Sequence, residues 1–357
     1  METIYILSPG RTCLFGDHQD YLGLPVIACA INKYIRLKAT VNKSLFFRIK
    51  LPDISEERDI EIHEEFKIMD HRDYFASSLR VLKRYGCIPD EGYDVEITGD
   101  LPLNAGVSSS SALIIAWIRF LLQAFGANQE ITKELVARIA YEAEVLEHNE
   151  PGGLMDQYSI SLGSVLFIET DQKMSYKIIP NDIEGLIVGE SGVKKETIGT
   201  LGDRKEKALK AIEYVTLKNP NFDIKLAVLE EYEKYEKDIP LDLRPYFYAA
   251  LKNHDITLKA LGEFRKTNPD IKYIGDLMNQ HHLVLKDVLK ITVPLIDNMV
   301  DSALNAGAYG VKIVGSGGGG SIIAIAPKDK EQDVIDAIKR EGKDAYVVKV
   351  DPGARIV

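Results

Sequence analysis

The sequence predicts an α+β protein with two domains. Its 357 residues can bury a large core and favour two domains over one. Residues 93–97 alternate between apolar and polar side chains like a half-buried strand, and an almost entirely apolar helix follows at 113–125. Near the end, residues 310–350 read strand, turn, strand, helix and strand. These two αβ layers fit an N-terminal domain in residues 1–180 and a C-terminal domain in residues 181–357.

The composition restricts the location and the partners of the chain. A net charge of −10 argues against non-specific nucleic-acid binding and against an anionic membrane surface. Cys13, Cys29 and Cys87 show neither disulfide nor metal-ligand spacing, which favours a reducing compartment. The longest apolar run, at 112–125, contains Arg119 and is too short to span a bilayer. We therefore expect a cytoplasmic protein, monomeric or homodimeric, without a nucleic-acid or membrane partner.

The first quarter of the chain predicts a strand, a polar loop, a longer strand and a helix. Residues 3–8 fit a short strand that ends in a turn at 8–11. A dense polar cluster at 16–21 lies between two apolar segments. Residues 26–41 are rich in β-branched and apolar side chains and fit one long strand or two. Helical spacing at 70–85 predicts the first helix.

Four consecutive serines stand where the apolar helix begins, one residue after a glycine-containing turn at 102–106. Backbone N–H groups at a helix start lack intrahelical partners, and the helix dipole favours an anion there. A hydroxyl at that point can bind phosphate or ligate Mg²⁺. One serine would be enough for a simple helix cap, so the run favours a phosphate-binding loop, although no G-x-x-x-x-G-K-[ST] motif is present. The predicted loop comprises Asn104, Ala105, Gly106, Val107, Ser108, Ser109, Ser110 and Ser111.

Two acids lie near the packed face of the helix predicted at 132–148. With Leu135 at zero and about 100° per residue, Glu147 falls inside the apolar arc and Glu144 on its border. An acid that points toward a packed face needs a partner, and a metal ion is one candidate. A cap, an ion pair or contact with water would also satisfy it. The helical angle does not choose between the two acids.

Asp156 follows a Pro-Gly-Gly turn at 151–153 and precedes an apolar strand expected at 164–168. An aspartate after such a turn is most often a cap, and a catalytic role is the alternative.

The second half begins with a strand at 186–188 and continues with helices rich in Lys and Glu, whose charges fit a solvated face. His281 and His282 are adjacent on one of these helices and diverge too far to bind one metal, so we assign them no role. Residues 293–306 predict another helix. Five glycines occupy the six positions 315–320 between two strands, which is costly in entropy unless the backbone must come close to something.

Four sequence blocks, in this order, resemble the GHMP kinase superfamily, and in particular its galactokinase-type sugar-1-kinase branch. Residues 8–21 are similar to P-G-R-V-N-L-I-G-E-H-T-D-Y, and residues 102–112 to P-L-G-G-G-L-S-S-S-A-S. Residues 143–157 contain A-E followed by a match to G-I-M-D-Q at the family distance. Residues 307–320 resemble G-A-Y-G-A-R-M-T-G-G-G-F-G-G.

The resemblance implies an N-terminal domain like domain 2 of ribosomal protein S5 and a ferredoxin-like C-terminal domain, with ATP and a sugar in the cleft between them. It implies that the serine loop holds the ATP phosphates. Ser109, Ser110 and Glu144 would ligate Mg²⁺, so the resemblance selects Glu144 where the helical angle did not. Gly317 and Gly318 would bring the backbone of the second domain close to the nucleotide.

In the mechanism that the resemblance implies, Asp156 accepts the proton of the anomeric hydroxyl as its oxygen attacks the γ-phosphorus in line. Arg11 favours the charged carboxylate and offsets the charge that develops on the transferred group. In a second account the acid mainly positions the hydroxyl. The sequence does not decide between the two accounts.

The residues implied in binding sugar hydroxyls are Asp17, His18, Asp20 and the backbone of Gly153. Several departures leave the sugar open. Asp17 replaces a family Glu, Leu22-Gly23-Leu24 replaces Asn-Gly-Gly, and residues 197–205 lack a sugar-contacting Tyr. Galactose, arabinose, a uronic acid or an N-acetylhexosamine could fit, and a uronate would require a cation beside the acids, where no obvious one stands. A mevalonate-type kinase, a decarboxylase of the superfamily and a non-catalytic sugar sensor are the alternatives.

Overall fold

The computed structural model describes residues 3–102, 106–171, 174–180, 183–193 and 198–357. The fold contains two β-sheets, and helices pack against both. Asn104 and Ala105 lie outside the described residues, so their predicted part in the phosphate loop stays a prediction.

The first sheet has eight strands. They are β1 (Thr3–Phe15), β2 (Val26–Val41), β3 (Phe46–Leu51), β4 (Glu56–Glu61), β5 (Tyr93–Gly99), β6 (Val165–Glu169), β7 (Ser175–Ile179) and, from the far end of the chain, β12 (Arg355–Ile356). The order is β12-β1-β2-β5-β3-β4, with β6 on the early half of β2 and β7 on β6. All pairs are antiparallel except β3–β5.

The helices of this half are α1 (Tyr74–Arg84), α2 (Ser109–Phe125), α3 (Lys133–Tyr141) and α4 (Met155–Leu162). α2 is buried around most of its surface, as its apolar sequence predicts, and it packs on β1 and β2. A T-shaped pair of Phe47 and Trp117 lies between the sheet and this helix.

The second sheet has four antiparallel strands in the order β11-β8-β10-β9. They are β8 (Leu186–Glu190), β9 (Gly310–Ile313), β10 (Ser321–Ile325) and β11 (Asp344–Val348). The helices after residue 197 are α5 (Ile198–Lys218), α6 (Tyr232–Tyr235), α7 (Arg244–Phe264), α8 (Ile271–Leu283), α9 (Pro294–Asn305) and α10 (Glu331–Glu341). None of the helices in the described ranges is long and apolar enough to cross a membrane. The predicted α+β class is confirmed, whereas the division at residue 180 stays a prediction.

Three local expectations were wrong. β1 does not turn at residue 8 but continues to Phe15, with an irregularity in its pairing between Pro9 and Gly10. A Cβ on Gly10 would lie 2.9 Å from the Val107 carbonyl oxygen and would overlap a Leu101 methyl, so glycine lets the strand pass closely under the serine loop. Asp156 does not precede a strand directly, since α4 intervenes. The helix expected at 132–148 ends its regular part at Tyr141, and a wider turn follows over Glu142–Leu146.

Candidate active site

A cavity of about 370 Å³ collects most of the predicted site residues. Its walls come from the end of β1 and the following loop, the start of α2, the wide turn after α3, the start of α4, and the glycine-rich loop between β9 and β10. The predicted residues that line it are Arg11, Asp17, His18, Asp20, Gly106, Ser108, Ser109, Ser110, Ser111, Glu144, Gly153 and Asp156.

Among the residues that the structure describes, three predicted nucleotide contacts do not line the cavity. Val107 is buried, and its carbonyl oxygen accepts a hydrogen bond from the N–H of Arg11. Gly317 and Gly318 pack against Ile291, where the Gly318 N–H donates to the Ile291 carbonyl and a Cβ on Gly317 would lie 2.6 Å from the Ile291 Cβ. In this structure these two glycines allow a close approach to Ile291, and their predicted approach to the nucleotide stays a prediction.

Arg11 and Asp156 form a two-point ion pair at the cavity wall. Arg11 Nε donates to Asp156 Oδ1 at 2.7 Å, and Nη2 donates to Oδ2 at 2.7 Å. The Ser108 hydroxyl also donates to Oδ2, and Arg11 Nη1 donates to the Gly106 carbonyl. Burial alone would lower the pKa of Arg11, but Asp156 raises it, so the guanidinium stays charged. Arg11 is almost covered at 5% exposure, whereas the Asp156 side chain is 27% exposed. The pair therefore presents an oriented carboxylate to the cavity.

The start of α2 is arranged to receive an anion. Ser108 precedes the helix in the left-handed conformation, with φ 57°, and its side chain makes no capping hydrogen bond. Its hydroxyl goes to Asp156 instead. The first-turn N–H groups of α2 are therefore not occupied by a Ser108 cap, and Ser108 to Ser111 line the cavity.

Glu144 lies beside this helix start. Ser110 Oγ donates to Glu144 Oε1 at 2.9 Å, and Gln157 Nε2 donates to Oε2 at 2.7 Å. Burial raises the pKa of Glu144, and no salt bridge to it occurs in the part of the chain that the structure describes. A buried carboxylate next to hydroxyls and a phosphate-receiving helix start fits Mg²⁺, a cation that prefers oxygen ligands and takes few from protein. The described residues contain no cluster of three or more His, Cys, Asp or Glu that could hold a metal ion alone.

Glu147, the other acid that the helical angle left open, points elsewhere. It forms ion pairs with Arg80 and Arg84 on α1. It therefore fastens the turn after α3 to α1 and does not line the cavity.

Asp20 and Gly153 face each other on the next stretch of wall. A Cβ on Gly153 would come within 2.0 Å of Asp20 Oδ2, so only glycine allows this approach. Burial and the nearby charge of Asp156 raise the pKa of Asp20 to about 6. His18 Nδ1 lies 2.9 Å from the Tyr21 hydroxyl, which orients the imidazole. This polar wall suits a ligand with several hydroxyl groups.

Asp17 lines the cavity, and its carboxylate also has partners inside the protein. Its predicted contact with the substrate stays a prediction. Its Oδ2 lies 2.6 Å from Lys312 Nζ, with side-chain exposures of 1% and 0%. Its Oδ1 accepts the Gly315 N–H at 2.7 Å. Burial would raise the pKa of Asp17, but the attraction of Lys312 lowers it to about 2. Lys312 is a cation beside the acids that sequence reasoning missed, although the family motif that residues 307–320 resemble also has a basic residue, arginine, at this position. Asp17 neutralises it, so it supplies no net charge for a uronate.

Other cavity residues also escaped the sequence analysis. Arg72 makes a two-point ion pair with Glu150 at the cavity wall, with distances of 2.7 and 3.1 Å. Ser316 lines the cavity next to Gly315. The match to G-I-M-D-Q covered Gln157 but did not predict its hydrogen bond to Glu144.

Comparison with known proteins identifies the family of the chain. The profile of the GHMP kinases N terminal domain matches residues 73–164, and that of the GHMP kinases C terminal matches residues 257–344. A third profile, the galactokinase galactose-binding signature, matches residues 2–40.

Individual kinases of this superfamily are similar to the chain over almost its whole length. A galactokinase of Pyrococcus furiosus is 29% identical over 352 residues, which is 96% of this chain and 94% of that protein. A mevalonate kinase of Thermococcus sibiricus is 29% identical over 360 residues, or 98% and 97% of the two chains. The crystal structure of Lactococcus lactis galactokinase complexed with galactose has a TM-score of 0.88 at 21% identity, over 99% of this chain and 95% of that one. The chain therefore belongs to the GHMP kinase superfamily and is a galactokinase-like phosphotransferase.

Proposed function

We propose that this enzyme transfers the γ-phosphoryl group of ATP to the C1 hydroxyl of D-galactose or a closely related sugar. The observation that carries the proposal is the Asp156 carboxylate, which Arg11 and Ser108 orient and which remains partly exposed to the cavity. The galactose-binding signature over residues 2–40 supports the choice of sugar.

The sugar would lie against the wall formed by Asp20, His18 and Gly153. Their acceptors and donors have fixed directions, which suits a polyol. The anomeric hydroxyl would then be near Asp156, which holds it for in-line attack and accepts its proton. Because Arg11 contacts both carboxylate oxygens, it fixes the acid and offsets negative charge that develops nearby.

The ATP phosphates would lie at the start of α2, where the backbone N–H groups of the first turn and the hydroxyls of Ser109 and Ser110 can contact them. Glu144, with Ser109 or Ser110, would hold Mg²⁺. When bound, Mg²⁺ neutralises phosphate charge and orients the γ-phosphoryl group. Gln157 and Ser110 keep the Glu144 carboxylate in place.

The mevalonate kinase of similar identity makes mevalonate the second candidate substrate. The match of the galactose-binding signature, and the polar wall of Asp20 and His18, favour a sugar. A non-catalytic sensor is disfavoured because Arg11, Glu144 and Asp156 all line one cavity. The cytoplasmic location and the monomeric or homodimeric state stay predictions.

The test is ADP release in the presence of Mg²⁺ with galactose, arabinose, galacturonate, N-acetylgalactosamine and mevalonate. We expect the highest kcat/KM with galactose, and a sugar 1-phosphate as the product by ³¹P NMR. Turnover of mevalonate alone would establish the second candidate. No turnover with any sugar would overturn the proposal.

A further inference from the structure

The Asp17–Lys312 pair joins the two sheets at the cavity wall, where Asp17 lines the cavity and Lys312 lies behind it. Asp17 follows the end of β1 in the first sheet, and Lys312 belongs to β9 in the second. Lys312 Nζ lies 2.6 Å from Asp17 Oδ2 and donates to the Cys13 carbonyl at 3.0 Å. The lysine is completely buried, so its charge serves neighbours inside the protein and not a solvated surface.

The same carboxylate holds the glycine-rich loop between β9 and β10. The Gly315 N–H donates to Asp17 Oδ1 at 2.7 Å, and the Gly318 N–H donates to the Ile291 carbonyl at 2.8 Å. Gly315 and Ser316 line the cavity between these two attachment points. The position of this edge of the cavity therefore depends on where Asp17 is held.

Asp17 is itself held on a rigid segment. Gly16 before it has φ 95°, and a Cβ there would lie 2.8 Å from a Val26 methyl group. Gln19 after it receives a hydrogen bond from Thr257 Oγ1 at 3.1 Å. A buried ion pair is often no more stabilising than two well-packed apolar residues, so its value here must come largely from the geometry that it imposes.

We infer that Lys312 is a positioning residue for phosphoryl transfer. Through Asp17 it fixes the edge of the cavity at Gly315 and Ser316. The inference rests on the proposed function for its catalytic consequence, whereas the anchoring of the loop can be measured without any reaction.

A matched pair of double variants tests the anchor. Lys312→Met with Asp17→Asn removes both buried charges and keeps an oxygen that can accept the Gly315 N–H. Lys312→Met with Asp17→Ala removes both charges and that acceptor as well. Neither leaves a buried charge unpaired, so both should fold, and urea unfolding and circular dichroism check that they do. The single variant Lys312→Met adds a third case, in which the carboxylate loses its cation.

Hydrogen exchange of the amides in 315–320 and the KM values for galactose and ATP are then compared. We expect exchange at least tenfold faster with Asp17→Ala than with Asp17→Asn in the Lys312→Met background, and a galactose KM about tenfold higher. ATP KM should change less. Equal exchange and equal KM in the two double variants would show a purely structural pair and overturn the inference.

A second outcome would also overturn it. If Asp17→Asn keeps loop protection but raises the galactose KM as much as Asp17→Ala does, the carboxylate contacts the sugar. Failure of the wild-type chain to phosphorylate galactose would instead refute the proposed function. The hydrogen-exchange comparison would still test whether Asp17 anchors the loop at 315–320.

Discussion

Two aspartates beside the cavity each pair with a basic residue, but they differ in how much of the aspartate side chain is exposed. Asp156 pairs with Arg11 at two points and keeps 27% of its side chain exposed. Asp17 pairs with Lys312, and only 1% of its side chain is exposed. The chemistry of the two pairs is similar, but Asp156 is more accessible to a substrate, whereas both carboxylate oxygens of Asp17 have partners inside the protein.

The two pairs also connect different parts of the fold. Arg11 lies within β1, and Asp156 lies in the first turn of α4, which packs on β1. Asp17 lies just beyond β1, and its partner comes from the second sheet. The Arg11–Asp156 pair therefore joins the first sheet to a helix that packs on it, whereas the Asp17–Lys312 pair joins the first sheet to the second.

The largest effect should follow from changing the exposed acid. Asp156→Asn keeps the size of the side chain but removes the base and the charge that faces Arg11. We expect kcat to fall by about 10² to 10⁴, with ATP affinity near normal. Steady-state ADP release and calorimetric ATP titration measure the two quantities. Turnover close to that of the wild type would contradict a proton-accepting role.

The closed acid should affect stability. Asp17→Asn leaves Lys312 buried without its counter-charge, and we expect a loss of about 3–5 kcal/mol in the free energy of unfolding. Because the folded-state pKa of Asp17 is lowered to about 2, its contribution is complete above an unfolded pKa near 4 and is lost as pH falls toward 2. Urea unfolding from pH 6 to pH 2 should therefore show a shallower acid limb in the variant. Equal stability of variant and wild type at pH 6 would refute this assignment.

Glu144 and Glu147 extend the comparison to two acids on one turn. Glu144→Gln should raise the Mg²⁺ concentration for half-maximal activity by about tenfold or more, because a neutral amide is a weaker ligand for a hard cation. Glu147→Gln is the matched control. It should weaken the ion pairs with Arg80 and Arg84 without changing the Mg²⁺ requirement. Mg²⁺ titrations of ADP release measure this concentration in each variant. An equal increase in both variants would argue against a metal role for Glu144.

These two acids also show how far sequence reasoning reached. A uniform helical angle placed Glu147 in the apolar arc and Glu144 on its border. The real turn is wider, since the Glu147 N–H donates to the Glu142 carbonyl five residues earlier. The extra residue in this turn changes which side chains face inward, and no local sequence pattern predicts it. The resemblance to the family selected Glu144, which lines the cavity.

Other residues show the same limit. The serine loop was visible because its signal is local, and the structure places Ser108 to Ser111 at the cavity. α4 was missed because Gln157, Ser159 and Ser161 are buried together with its apolar residues, which leaves no amphipathic period. The part that Lys312 plays could not be predicted, since its partner is distant in sequence and joins it only when the two sheets pack.

Asp20 is partly buried and faces the cavity like Asp156, and a change in its protonation should give the smallest of the predicted effects on activity. It accepts the N–H of Tyr21, and none of the ion pairs among the described residues includes it. Burial and Asp156 raise its pKa to about 6, so the carboxylate that would accept sugar hydroxyls is lost as pH falls below that value. Galactose KM should then rise about tenfold from pH 7 to pH 5, while ATP KM stays nearly level. In Asp20→Asn the galactose KM should be high at both pH values, because no carboxylate remains to titrate. The same pH dependence in that variant would assign the titration to another group and leave Asp20 with a purely structural contact to Gly153.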